Sequence, residues 1–138
     1  MTSYLIIFVP IALSILYTVY IMAGLRKRSS GNAEMVAISK AIQTGSRAYL
    51  NRQYKTVGAV GILAFAIIGF FLHWVTAIGF LVGALTSALA GYIGMNVAVR
   101  SNAKTAKAAE DGMSSALSLA FRAGSVTGLL VVSLALLA

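Results

Sequence analysis

The chain has 138 residues, 59% of them hydrophobic and only 10% charged, with a mean hydropathy of +0.90. A soluble domain carries about a quarter charged residues, so this composition excludes the ordinary soluble classes and points to the membrane. The formal charge of +8 comes from eleven Lys and Arg against Glu34, Glu110 and Asp111; because the cations lie between apolar runs, they read as a record of membrane orientation and not as a nucleic-acid face.

No charge occurs from Met1 to Leu25, and residues 4–24 are long enough to cross a bilayer as a helix. A cleaved signal peptide has basic residues before its apolar stretch and a small-residue site after it. Here the order is reversed, with Arg26-Lys27-Arg28 following the stretch. The first span is therefore read as uncleaved, with its N-terminus outside. Pro10 lies inside it, where a membrane helix tolerates a kink.

Residues 26–55 form the most polar segment. Asn32 follows Ser29-Ser30-Gly31 and can cap a helix whose positive end favours Glu34. Beyond it, Ile38, Ile42, Gly45 and Tyr49 recur at spacings of four, three and four, one face of a helix that runs on into the second span.

From Thr56 to Val99 there is no Asp, Glu, Lys or Arg. At about 1.5 Å per residue this run is roughly twice the thickness of the hydrocarbon core, so it crosses twice. The turn is expected at His73-Trp74, where an aromatic ring suits the interface. Spans over 56–73 and 75–99 follow, then polar chain at 100–111 with Lys104 and Lys107, then a last span over 113–138. The expected fold is all-α and integral to the membrane, a single membrane region over 1–138. Segments 26–55 and 100–111 are both basic, whereas the turn at His73 has no Lys or Arg, so the positive-inside rule makes both basic segments cytoplasmic loops. Ala138 ends the sequence within apolar residues and without an interfacial anchor, which leads us to expect a piece of a longer protein.

Few residues can carry chemistry. Hydrolysing or transferring phosphate takes metal-binding carboxylates or a glycine-rich loop followed by Lys. Three acids in two polar segments cannot build a multi-metal cluster, and no phosphate-loop pattern occurs. The lone His73 has no acid beside it, and the absence of cysteine excludes a disulfide scaffold or a thiolate metal site. No catalytic, cofactor-binding or metal-ligating residue is expected within these 138 residues.

What the sequence offers instead is packing and anchoring. Gly83, Ser87 and Gly91 recur every fourth residue on the third span, with Gly94 near the same face. Ala116, Ala120, Gly124 and Gly128 do so on the fourth. Such stripes let membrane helices approach closely, within this chain or against a helix from elsewhere. Arg122 has apolar residues on both sides, which makes it a functional candidate. Only sixteen uncharged residues follow it, so we read it as snorkelling to the cytoplasmic surface. Arg47, Arg52 and Lys55, interleaved with Tyr49 and Tyr54 at a span entrance, read as headgroup anchors.

Several segments together are familiar. Ala48-Tyr49-Leu50-Asn51-Arg52-Gln53-Tyr54-Lys55-Thr56, Ala90-Gly91-Tyr92-Ile93-Gly94-Met95-Asn96, Arg100-Ser101-Asn102-Ala103-Lys104-Thr105-Ala106 and Ala120-Phe121-Arg122-Ala123-Gly124-Ser125-Val126-Thr127-Gly128 follow in order. They resemble the membrane-bound, ion-translocating pyrophosphatases, and the match extends from Ile38 to the end. Departures occur within that frame. Thr44-Gly45-Ser46 stands where the family commonly has Glu-Gly-Ala, Lys104 where Arg is usual, and 123–128 differ from the frequent Gly-Gly-Ala-Val-Met-Gly.

The resemblance implies a pump of about sixteen membrane helices that forms homodimers, needs Mg²⁺, hydrolyses pyrophosphate at the cytoplasmic side and moves H⁺ or Na⁺ outward. It implies an inner ring of helices, beginning with the fifth, that holds the catalytic acids and lysines, and an outer ring to which these four helices belong. The remaining helices of the same polypeptide, the lipid bilayer and pyrophosphate are then the expected partners, without nucleic acid. The bacterial plasma membrane is the expected location. Ser125-Val126-Thr127 and the missing glutamate lean toward a K⁺-independent proton pump. Two other readings are a self-contained four-helix transporter and a non-catalytic assembly subunit. A proton-exchanging transporter needs a carboxylate inside a span, and the four spans have none.

Overall fold

The computed structural model describes residues 2–138, with side-chain surroundings from Leu5 onward; Met1, the first residue of the expected membrane region, lies outside the described residues. Four α-helices account for nearly all of it: α1 (Thr2–Arg26), α2 (Ala33–Phe71), α3 (Trp74–Ala109) and α4 (Met113–Leu137). Each is long and apolar enough to cross a membrane, and α1 continues through Pro10.

Local chemistry explains the breaks. Asn32 caps α2 as its sequence context requires, its Oδ1 accepting from the Met35 amide at 2.9 Å. Gly31 and Gly112 adopt φ of +89° and +118° in the turns before α2 and α4, conformations that side chains with a Cβ rarely adopt. The turn between α2 and α3 is two residues, Leu72 and His73, with His73 in extended conformation at the start of α3. Trp74 is already helical and folds back toward α2, with its ring 6.2 Å from that of Phe65 and close against Gly69.

Residues 33–55 are the first 23 of the 39 residues of α2, the helix that the spacing of Ile38, Ile42, Gly45 and Tyr49 predicts to run on into the second span. Residues 100–109, expected as polar chain between two spans, are the last turns of α3. Polarity ends a membrane span without ending a helix, because a polar helix in water still satisfies its own backbone. At 39 and 36 residues, α2 and α3 are roughly 58 and 54 Å long, well beyond a hydrocarbon core of about 30 Å.

α3 packs against α2 and α4, and α1 packs against α4, so the spatial order is α1, α4, α3, α2. α4 buries Ala116, Leu119, Ala123, Val126, Leu130 and Ser133, a 3-4-3-4-3 spacing that forms one continuous face. Val126 is fully buried there, and Ile21, Leu25 and Ala108 complete the cluster from α1 and α3. The outward surfaces stay apolar, including Leu16, Ile62, Phe70, Val75 and Phe121. Apolar surface of that extent needs lipid or other helices around it. The chain is an all-α integral membrane protein.

Candidate functional site at the charged end of the helices

The antiparallel arrangement brings the C-termini of α1 and α3 and the N-termini of α2 and α4 to one end. Every Lys and Arg except Lys55, just past the middle of α2, lies no farther than the midpoint of its helix from that end, or in the α1–α2 turn. Two polar clefts open there.

The first, of about 330 Å³, lies between α1, α2 and α3. Its apolar wall is Met22, Leu25, Ile93 and Val97, and its polar rim is Arg26, Arg47, Tyr92, Asn96, Arg100 and Lys104. Tyr92, Asn96, Arg100 and Lys104 are spaced by four along α3, one stripe of the helix. Asn96 Nδ2 donates to the Tyr92 carbonyl at 2.8 Å. Lys104 Nζ crosses to the end of α1, donating to the carbonyls of Leu25 at 2.6 Å and Arg26 at 3.3 Å. Burial holds the Lys104 ammonium below the ordinary lysine value, with the nearby Arg100 charge acting in the same direction.

The second cleft lies between α1 and α4, where Lys27, Arg28 and Arg122 gather beside Tyr17, Tyr20, Ser115 and Ser118. Arg122 is exposed there, close to the basic residues at the end of α1. Of the three residues read as anchors, Arg47 lines the first cleft, whereas Arg52 and Lys55 are exposed and line neither.

The small-residue stripes divide. Gly94 is buried, and a Cβ there would stand 2.7 Å from Thr127 Cγ2 on α4, so this glycine permits the approach of α3 and α4. A Cβ on Gly91 would come 3.0 Å from Tyr54 Oη on α2. Gly83, Gly124 and Gly128 have nothing within 4 Å of an added Cβ, and Ser87 and Ala120 are exposed. Ala116 is buried with the adjoining face of α4. The sequence reading missed that face, which its 3-4 spacing would have revealed, and also the four-residue stripe that lines the first cleft.

The acids do not fit Mg²⁺. Glu34, Glu110 and Asp111 are exposed, Glu110 accepts a charge-assisted hydrogen bond from Lys107 Nζ, and among the described residues no three His, Asp or Glu come together. A divalent hard cation takes several oxygens held in one place.

Comparison with known proteins decides the affiliation. The family model described as inorganic H⁺ pyrophosphatase matches residues 12–138. The chain belongs to this family. Among curated relatives, a K(+)-insensitive pyrophosphate-energized proton pump of Methanosarcina mazei is 44% identical over 137 residues, covering 96% of this chain and 20% of the relative. A K(+)-insensitive pyrophosphate-energized proton pump of Moorella thermoacetica is 40% identical over 126 residues, covering 91% of this chain and 18% of the relative. A candidate K(+)-stimulated pyrophosphate-energized sodium pump of Bacteroides thetaiotaomicron is 39% identical over 146 residues, covering 99% and 20%. The chain thus spans about a fifth of the length of the relatives it matches. The resemblance drawn from the motifs and the family match agree.

Proposed function

We propose that this chain supplies the first four, outer-ring helices of a pump that couples pyrophosphate hydrolysis to ion movement across the membrane. The observation that carries the reading is a family match running from residue 12 to residue 138 across an all-helical layer whose few acids all lie near its charged end. Relatives of which it spans about a fifth favour this reading over a self-contained four-helix transporter or an assembly subunit. The ion is H⁺, in keeping with the names of several relatives. Mg²⁺ and pyrophosphate bind to residues of the full-length protein outside these 138, and the pump works as a homodimer in the plasma membrane.

The charged end faces the cytoplasm and both ends of the chain face outward, by the positive-inside rule. Arg52 and Lys55 anchor α2 at the headgroups, and Arg122 snorkels to that boundary. Gly83, Ser87, Ala120, Gly124 and Gly128, left open in the layer, seat other helices of the polypeptide. Pyrophosphate-driven acidification of vesicles containing the full-length protein, measured with and without Na⁺ and K⁺, tests the reading. Acidification without either cation is expected; hydrolysis without acidification, or no hydrolysis, overturns it.

A further inference from the structure

The cleft between α1, α2 and α3 has a composition that packing alone does not account for. Arg26, Arg47 and Arg100 come from three different helices to one rim. No carboxylate lines it, and among the described residues the one ion pair lies elsewhere, between Lys107 and Glu110. Lys104 is already engaged with the α1 carbonyls, which leaves the three guanidinium groups as available donors. Like charges held together without a counter-charge repel, so a site of this kind is stabilised when an anion occupies it.

The shape narrows the choice of anion. Below the cationic rim the wall is Met22, Ile93 and Val97, continuous with the apolar length of α1 and α3. A free phosphate has no use for such a wall. A phospholipid has, because its phosphate meets guanidinium bidentately while its acyl chain runs along the apolar surface. Basic pockets between membrane helices at the level of the headgroups recognise anionic lipid for this reason. We infer that this cleft is a binding site for one anionic phospholipid, its phosphate held by Arg26, Arg47 and Arg100 and a chain lying against Met22, Ile93 and Val97.

Native mass spectrometry of the full-length protein, released from mild detergent with phosphatidylglycerol or phosphatidylcholine added, tests this directly. One phosphatidylglycerol per subunit should be retained in clear preference to phosphatidylcholine. Arg47→Gln with Arg100→Gln should reduce that retention on the order of tenfold or more, at about 1 kcal/mol per basic residue near a headgroup. Arg28→Gln with Lys40→Gln, an equal charge change at residues that do not line this cleft, should leave it intact. Arg47→Lys with Arg100→Lys should retain part of it, which guards against loss through misfolding. Equal retention of the two lipids by the unsubstituted protein, as when an acidic segment of the same polypeptide fills the cleft, overturns the proposal. So does equal loss in the Arg28 and Lys40 variant, or displacement of the lipid by millimolar inorganic phosphate.

Discussion

Lys104 and Leu25 are 79 positions apart in sequence, yet Lys104 Nζ donates to the Leu25 carbonyl at 2.6 Å. A second bond at 3.3 Å reaches the Arg26 carbonyl. The last carbonyls of a helix lack intrahelical partners, and a cation near them also meets the negative end of the helix dipole. One side chain of α3 therefore caps α1, two helices that otherwise touch little.

Removing that cap should loosen α1. Lys104→Met is expected to destabilise the full-length protein by about 1.5–3 kcal/mol, the range for a hydrogen bond to a charged group. The measurement is a thermal unfolding midpoint in detergent. Lys104→Arg, which keeps charged donors at the position, should recover most of the loss. An unchanged midpoint in Lys104→Met would remove the cap from the account.

The same lysine gives a pH dependence of known sign. Its folded value is lowered from 10.5, by burial and then by Arg100, so near the upper end of its range the unfolded chain binds more protons than the native one. Stability then rises with pH through the window between the lowered folded value and 10.5. Lys107 runs the other way: its hydrogen bond to Glu110 raises it above 10.5, so its contribution is complete below that value and lost as pH passes the raised one. Unfolding midpoints recorded from about pH 8 to pH 11 should show Lys104→Met flattening the rise and Lys107→Gln flattening the later fall. Parallel curves for the three proteins would contradict both assignments.

The glycines separate close approach from open surface. Gly94→Ala places a Cβ 2.7 Å from Thr127 Cγ2, which should cost about 1–3 kcal/mol as α3 and α4 shift apart. Thr127→Ala in the same protein should restore much of it. A Cβ on Gly128 meets nothing within 4 Å in this chain. Because Gly128 is proposed to seat another helix, Gly128→Leu should lower both the midpoint and pump activity of the full-length protein. A Gly128→Leu protein as stable and active as the unsubstituted one would sink that role.

Much of this was legible in the sequence because the membrane imposes simple rules. Charge-free length pointed to four helices long and apolar enough to cross a membrane, and the cap at Asn32 and the turn near His73 followed from residue chemistry. The run of α2 into its span shows in the spacing of Ile38, Ile42, Gly45 and Tyr49, but the far end of α3 is harder to read. Arg100 and Lys104 look like loop residues because polar chain suggests the end of a helix, although a helix can leave the membrane and continue in water. The stripe of Ala120, Gly124 and Gly128 was visible, but small residues do not say which neighbour they face. Ala123 and Val126, not that stripe, meet the rest of this chain. The first cleft was invisible for a different reason: Arg26, Arg47 and Arg100 belong to three helices, and only the spatial order α1, α4, α3, α2 brings them together.

Tyr54 offers the sharpest test of how α2 is held to α3. Its hydroxyl donates to the Ala88 carbonyl at 2.8 Å, its ring lies edge-on to Tyr92 at 6.0 Å, and its oxygen would stand 3.0 Å from a Cβ on Gly91. Tyr54→Phe removes the hydrogen bond and keeps the ring, so a loss of about 1 kcal/mol is expected, in line with polar contacts between membrane helices. Gly91→Ala should cost a similar amount, because the new methyl group displaces the hydroxyl from Ala88. The two losses share one cause, so they should not add. In the Tyr54→Phe background Gly91→Ala should cost little, leaving a coupling of about 1 kcal/mol in a double-mutant cycle of unfolding free energies. Losses that add within about 0.3–0.5 kcal/mol would mean that Gly91 and the Tyr54 hydroxyl act independently.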